Sequence, residues 1–288
     1  MDTFIQLLLV GLTSGSIYGL IALGFTLVFT SSSVLNFAQG EFVMLGAVSA
    51  AVMIRAGVPY PLALLAACAI GGLAGLLVYG VVVKPLSRDA AQITVVMATL
   101  AAATIFAAGT RHLIGTDTRH LPPLLSGDPV SLFGAVVARQ NLMIVAVTGP
   151  LVILIWLVLH RSNWGLNVRA VGVDRGAAEL MGVNVSRVML AGFVVSGVIG
   201  AIGGVLLAPI VGAAPSMGLG LAVTGFIAAV VGGITNPFSA LAGGIFVGLL
   251  EVMVAGYVAT SLTQICVFVL LPIVLLLRPQ GIFIRSVK

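Results

Sequence analysis

Charged residues are scarce in this chain. Of its 288 residues only 7% are Asp, Glu, Lys or Arg, whereas 60% are hydrophobic. A soluble domain carries roughly 25% charged residues, and a soluble protein this apolar would lack the polar surface needed to cover itself. A lipid bilayer removes that requirement, because the outer surface then faces hydrocarbon. The composition therefore predicts an integral membrane protein.

Residues that carry catalysis or bind metals are also few. The two cysteines, Cys68 and Cys266, lie in apolar runs, so we interpret them as small buried hydrophobes. The three histidines show no metal-type spacing, which argues against a metalloenzyme or a hydrolase. Neither lysine follows a glycine-rich turn of the kind that binds nucleotide phosphates. We therefore expect no enzyme activity and no cofactor bound by this chain, and any ATP would be used by partner subunits.

Long apolar runs fill most of the sequence. A membrane-spanning helix needs about 20 mostly apolar residues. The predicted spans are residues 4–30, 40–55, 60–83, 91–110, 140–160, 187–208, 220–233, 238–257 and 260–277. The second and seventh runs are short, so we predict about eight or nine crossings. The expected fold is an all-α polytopic membrane helical bundle, a single domain over 1–288, with broken or short helices near 30–41 and 220–237.

The basic residues lie singly at the ends of these runs. That pattern is typical of residues that set the topology of a membrane protein. It argues against nucleic-acid binding as the explanation of the net charge of +5. With nine spans, one side of the membrane collects Lys84, Arg88, Arg161, Arg169, Arg175, Arg187, Arg278, Arg285 and Lys288. The other side collects Arg55, Arg111, Arg119 and Arg139. We expect the first side to be cytoplasmic, with the C-terminus inside, the N-terminus outside and the first run retained as a span.

Small residues recur at every fourth position in three of the runs. The rows are Gly11, Gly15 and Gly19; Gly192, Ser196, Gly200 and Gly204; and Ala240, Gly244 and Gly248. On a helix each row forms a flat face that lets a neighbouring helix approach closely. A tight helical bundle is therefore expected.

Two segments, 30–41 and 232–237, interrupt the helical pattern at membrane depth. Irregular backbone is tolerated there only where it is buried in protein or lines a cavity. Each segment is either an ordinary loop or part of a translocation path. The path residues under the second interpretation are Asn36, Phe37, Gly40, Glu41, Gly232, Gly233 and Asn236. Glu251 joins them, because a carboxylate within a span is costly and usually functional.

The loop 161–187 has the pattern of a folded segment. Asp174 can cap a short helix and Gly182 can end it, with small and apolar residues between them. Such a helix outside the membrane suggests a protein docking site, and the alternative is a helix that rests on lipid. The candidate docking residues are Arg169, Asp174, Ala177, Ala178, Glu179 and Gly182.

Several motifs together resemble a known family. They lie at 19–28, 36–41, 165–182, 229–251 and 277–283, and they include Asn36-Phe37-Ala38, Gly232-Gly233 and Arg278-Pro279-Gln280-Gly281. Nearly the whole chain is similar to the LivH-type permeases of bacterial branched-chain amino acid ABC importers. This chain has Thr235-Asn236 where family members often carry Gly-Ser. That departure leaves the cargo open, since sister permeases for urea, amides or aromatic acids share these motifs.

The resemblance implies a permease in the bacterial cytoplasmic membrane that imports branched-chain or related amino acids. Two ABC ATPase subunits would use ATP and dock at the loop 161–187. A sister permease of the LivM type, or a second copy, would complete the path, and an extracytoplasmic binding protein would deliver cargo. The alternative is a stand-alone secondary transporter or channel, which the scarcity of ionisable groups within the spans argues against.

Overall fold

The computed structural model describes residues 2–86, 91–125, 127–132 and 135–283. The elements are α1 (Asp2–Ser32), α2 (Gln39–Arg55), α3 (Tyr60–Leu77), α4 (Lys84–Leu86), α5 (Gln92–Ile114), β1 (Val130–Leu132), β2 (Ala135–Val137), α6 (Arg139–Arg161), α7 (Asn163–Val173), α8 (Arg175–Leu180), α9 (Val185–Val211), α10 (Met217–Gly232), α11 (Pro237–Tyr257) and α12 (Thr263–Leu277). A π-helical turn, Val78–Val83, joins α3 to α4, and the two strands form an antiparallel hairpin.

Helices long enough to cross a membrane dominate the bundle. Within the described residues seven are long and apolar enough. They are Thr3–Ser32, Tyr60–Leu86, Gln92–Ile114, Arg139–Arg161, Val185–Val211, Pro237–Tyr257 and Thr260–Leu277. The remaining two predicted spans form α2, with 17 residues, and α10, with 16. The predicted polytopic bundle is confirmed, and the uncertainty in the count lies in the two runs that were predicted to be short.

The glycine rows predicted from the sequence lie at the closest helix contacts. On α1, a Cβ atom added at Gly15 would lie 2.6 Å from the Ile245 Cα atom of α11. Gly244 and Gly248 of α11 meet Gly19 and Gly15 of α1 in the same way, so neither helix has room for side chains there. Because these contacts are backbone to backbone, α1 and α11 form a rigid pair at the centre of the bundle.

The small-residue row on α9 contacts two helices, α1 and α2. Gly192 lies against Ser31 near the end of α1, while Gly200 and Gly204 lie against Phe42 and Val43 of α2. The helix α9 therefore binds α1 along its first half and α2 along its second half.

The helices α2 and α10 both begin inside the bundle. The side chain of Gln39, the first residue of α2, bonds the Ser196 hydroxyl, which also bonds the Gly24 carbonyl. Gly24 lies eight residues before Ser32, the last residue of α1. At 1.5 Å per residue, α2 starts about 12 Å in from that end. The first turn of α10 contacts Glu41, so it begins at the same depth. Two short helices thus start close to each other in the interior.

The face that carries α7 and α8 is called the loop face below. Lys84 and Arg175 line one cleft on it, and Arg169 lies beside the turn that follows α10. The described basic residues fall into the two groups predicted from the sequence, at opposite ends of the helices. Arg88, Arg285 and Lys288 lie outside the described residues. The membrane side of each face stays a prediction.

Candidate functional site

The first irregular segment, 33–38, begins at the exposed Ser33 and then enters the bundle, where Val34, Asn36 and Ala38 are buried. The Phe37 N–H donates to the Thr99 hydroxyl at 3.3 Å, and the Gln92 side chain donates to the Ser33 carbonyl at 2.8 Å. The Asn36 side-chain oxygen accepts from the Ala38 N–H at 3.2 Å. Its amide nitrogen is buried without a hydrogen-bond partner among the described residues. Helix α5 and the segment itself thus supply hydrogen bonds to backbone groups of the segment, which would otherwise lack partners within the membrane.

A buried polar cluster fixes the start of α2. The Ser196 hydroxyl of α9 lies 3.0 Å from the Gly24 carbonyl and also contacts the Gln39 side-chain oxygen. The Gln39 side-chain nitrogen donates to the Ser196 carbonyl at 3.3 Å. Sequence reasoning treated Ser196 only as a small packing residue and did not single out Gln39. No local signal could have paired them, because 157 residues separate them.

The N-terminal turns of α2 and α10 touch each other. A side chain at Gly40 would run into the Gly218 carbonyl oxygen, and one at Gly218 would run into the Glu41 carboxyl group. Glu41 is 3% exposed, and its Oε2 atom has no hydrogen-bond partner among the described residues. Ser216 does not cap α10 with its side chain, and the Glu41 carboxyl group lies against this helix N-terminus at Gly218.

Three aromatic rings lie beside this junction. Phe25 of α1 lies 6.0 Å from Phe37 and 6.0 Å from Phe226, and the rings of Phe37 and Phe226 are 5.3 Å apart. Phe37 and Phe226 are partly exposed, whereas Phe25 is fully buried. The cluster joins α1, the irregular segment and α10 into one packed unit.

The second irregular segment lies elsewhere, at the loop face. Gly233 ends α10 with φ +119°, and the Asn236 side chain then caps α11 by accepting from the Phe238 N–H at 2.9 Å. Thr235 and Asn236 line a cavity of about 190 Å³ together with Arg169 of α7. The structure therefore places Asn236 next to the loop 161–187, whereas Gly232 packs against Ser239 and Ala240 of α11 and Gly233 lies against Gly281.

Glu251 lies apart from both segments. It is on α11, where it hydrogen-bonds the Tyr18 hydroxyl of α1, and its Oε2 atom has no partner among the described residues. Its neighbours differ from those of Glu41. The eight predicted path residues thus fall at three places in the bundle. Asn36, Phe37, Gly40 and Glu41 lie at the start of α2, Gly232, Gly233 and Asn236 lie at the turn between α10 and α11, and Glu251 lies on α11.

The loop 161–187 folds into two helices. The Asp174 side chain caps α8 by accepting from the Ala177 N–H at 3.0 Å. Gly182, with φ +84°, ends that helix and donates its N–H to the Glu179 carbonyl at 2.9 Å. Both ends therefore lie where the sequence predicted them. Ala178 is 4% exposed and faces the bundle, so it is a packing residue of this loop and not part of its surface.

Three apolar side chains project from the outer surface of this loop, among charged ones such as Asp174 and Glu179. Val173, Leu180 and Met181 are 89%, 90% and 84% exposed. We call these three residues the apolar tip. A cleft of about 640 Å³ adjoins it, lined on one side by Arg175 and Glu179 and on the other by Tyr79 and Lys84 near the π-helical turn. Sequence reasoning missed Val173 and this cleft, whose walls come from distant parts of the chain.

Comparison with known proteins agrees with this architecture. The family described as "Branched-chain amino acid transport system / permease component" matches residues 7–276. The chain is 31% identical to the high-affinity branched-chain amino acid transport permease LivH of Escherichia coli K12, over 98% of this chain and 96% of LivH. It is 31% identical to BraD of Pseudomonas aeruginosa over the same shares. It is also 27% identical to the autoinducer 2 import permease LsrD of Escherichia coli SMS-3-5, over 85% of this chain and 72% of LsrD.

Proposed function

The chain belongs to the family of permease components of branched-chain amino acid transport systems, and we propose that it is the membrane subunit of an ABC importer for branched-chain or related amino acids. The observation that carries the proposal is the folded loop 161–187 with its projecting apolar tip, on a bundle of that family. An exposed apolar surface of this kind marks a site that a protein partner or the membrane surface covers.

The proposed partner of the apolar tip is an ABC ATPase, with one ATPase for each of two permease subunits. Leu180 and Met181 would enter a groove on the ATPase, and the neighbouring cleft with Arg175 and Glu179 would receive polar side chains. Arg169 of α7 lines a pocket together with the turn after α10, and α7 itself packs against α1, α6 and α9. A push on the loop would therefore reach the bundle through α1, α6 and α9.

The loop face would lie in the cytoplasm, as the excess of basic residues on it indicates. ATP-driven closure of the ATPases would then alternate access to the path. An extracytoplasmic binding protein would deliver cargo to the opposite face, which makes the direction inward. The second permease would be a LivM-type sister or a second copy of this chain, with the path between the two subunits.

The path itself is proposed to pass the junction of α2 and α10. Helix N-termini that meet in the membrane interior are typical of transporter binding sites. At this junction Asn36 and Glu41 bring buried polar atoms without hydrogen-bond partners among the described residues, whereas most of the bundle is apolar. Such atoms are stabilised when a passing polar ligand or water binds them.

A pair of matched substitutions tests the docking assignment. Leu180→Glu places a charge on the apolar tip, while Leu113→Glu places it on an equally exposed leucine, 82% exposed, at the opposite end of the bundle. We expect Leu180→Glu to abolish co-purification of the ATPase subunits and ATP-dependent uptake, and Leu113→Glu to retain the ATPases. Normal ATPase binding by Leu180→Glu would exclude the loop as the docking site.

A different cargo within the same family is the second candidate. The similarity to the autoinducer 2 permease LsrD over most of this chain shows that related permeases serve chemically distinct cargo. Binding measurements with the cognate binding protein separate the cases. Tight binding of leucine, isoleucine or valine supports the first candidate, and binding of a non-amino-acid ligand alone supports the second.

A further inference from the structure

The ends of α1, α6 and α7 enclose a small cavity at the loop face, together with the turn before α11. Its volume is about 190 Å³, whereas pockets for whole small molecules begin at about 300 Å³. The polar side chains that line it are those of Arg169, His160, Thr30, Thr235 and Asn236. The size suits a single polar group, such as a phosphate, and not a complete small molecule.

The cavity carries positive charge without an acidic side chain beside it. Among the described residues that line it, Arg169 is a cation and none is Asp or Glu. The cleft beside the apolar tip differs, because there Glu179 accompanies Lys84 and Arg175. The Asn236 side-chain oxygen is occupied in capping α11, which leaves its amide nitrogen as a donor. The cavity therefore favours an anion that accepts hydrogen bonds.

An apolar crevice continues from this cavity between α6 and the start of α11. The two openings share Leu159, His160 and Pro237 as walls. Trp156 lies one turn further from the loop face, with its ring 5.2 Å from that of His160 and 6.0 Å from that of Phe238. The crevice is narrow, about 10 Å³, so a hydrocarbon chain would lie across its mouth and not inside it.

The side chains around the crevice indicate that it opens at the membrane interface. Ile153, Leu154 and Leu157 of α6 are 57%, 56% and 42% exposed, as expected of a helix side that faces lipid. Trp156 lies in the last two turns of the same helix, and tryptophan is enriched where a membrane meets water. An anion held in the cavity is therefore at the depth of lipid headgroups.

We propose that the cavity binds the phosphate of an anionic phospholipid, with one acyl chain lying across the crevice beside Trp156 and Phe238. Basic pockets between transmembrane helices on the cytoplasmic side bind lipid headgroups in this way. A zwitterionic lipid fits less well, because it brings its own cation to a cavity whose described lining has no carboxylate. The bound lipid would touch both α7 and the turn before α11, and so hold the loop 161–187 against the bundle. The proposal depends neither on the cargo nor on the ATPases.

Quenching of tryptophan fluorescence by brominated lipid measures this contact. The chain has two tryptophans, so Trp164→Phe leaves Trp156 as the reporter. The full-length chain is reconstituted in bilayers that contain phosphatidylglycerol or phosphatidylcholine with bromine atoms on the acyl chains, and quenching is compared at equal bromine content. Arg169→Gln removes the cation of the cavity. Arg161→Gln is the matched control, because Arg161 is exposed at the end of α6 but lines neither opening.

We expect Trp156 to prefer phosphatidylglycerol by about fivefold, the factor that one basic residue contributes near a charged membrane surface. Arg169→Gln should abolish the preference, and Arg161→Gln should retain it. Native mass spectrometry of the lipid retained by the chain with both tryptophans makes the same comparison without Trp164→Phe, and the same order of variants is expected.

Three results would overturn the proposal. Equal quenching by the two lipids would show that the cavity does not select an anionic headgroup. An equal loss of preference in Arg169→Gln and Arg161→Gln would assign it to general surface charge. Loss of the preference in excess inorganic phosphate would make a free anion the occupant in place of the lipid.

Discussion

Replacing Ser196 by alanine removes the centre of the polar cluster that fixes the start of α2. The hydroxyl has one proton, which serves the Gly24 carbonyl and the Gln39 side-chain oxygen, and both acceptors lie in the interior. A buried acceptor left without a partner costs about 1–3 kcal/mol, whereas side-chain hydrogen bonds measured within membranes contribute about 0.6 kcal/mol on average and about 1.7 at most. We therefore expect Ser196→Ala to lower the free energy of unfolding by about 1–2 kcal/mol.

Reversible unfolding by sodium dodecyl sulfate in mixed micelles, followed by circular dichroism, measures this change. Thr104→Ala is the control, because its hydroxyl also donates to a backbone carbonyl, that of Ala101 in its own helix at 2.7 Å, but is exposed. Adding Gln39→Met to Ser196→Ala removes both side-chain partners, so the double variant should be more stable than the sum of the single effects predicts. Equal stability of Ser196→Ala and Thr104→Ala would refute the role of the cluster.

Three further substitutions test other parts of the structure. Gly40→Ala should prevent folding, because its Cβ atom would overlap the Gly218 carbonyl, whereas Gly109→Ala has open space and should fold normally; yield of monodisperse protein compares them. Asn236→Ala should lower stability by about 1 kcal/mol through loss of the α11 cap, measured by thermal unfolding, and an unchanged midpoint would contradict that role. Gly182→Ala forces an alanine into φ +84° and should weaken ATPase binding in a titration without changing the thermal midpoint of the bundle; unchanged affinity would remove the end of α8 from the docking surface.

The sequence predicted features that depend on local pattern. Hydrophobic runs predicted every membrane helix, since a span is defined by its own composition. Asp174 and Gly182 predicted the ends of α8, because caps act within a few residues. The glycine rows predicted close contacts, although they did not predict which helix each row would meet.

Features that depend on distant partners could not be predicted. Gln39 and Ser196 have no local signal, since their pairing requires α2 and α9 to be placed first. The sequence supported the same two interpretations for both irregular segments, yet one lies at the interior junction and the other at the loop face. The burial of Ala178 likewise follows from how α8 packs, which its own spacing does not determine.

ATP-dependent uptake of leucine by the reconstituted complex tests the central claim most directly. Proteoliposomes that contain this chain with its second permease and the ATPases are compared with proteoliposomes that contain the permeases alone. The account predicts that leucine accumulates inside only when the ATPases, ATP and the loaded binding protein are all present. Leucine uptake by the permeases alone, driven by a leucine or ion gradient without ATP, would contradict it and indicate a stand-alone transporter.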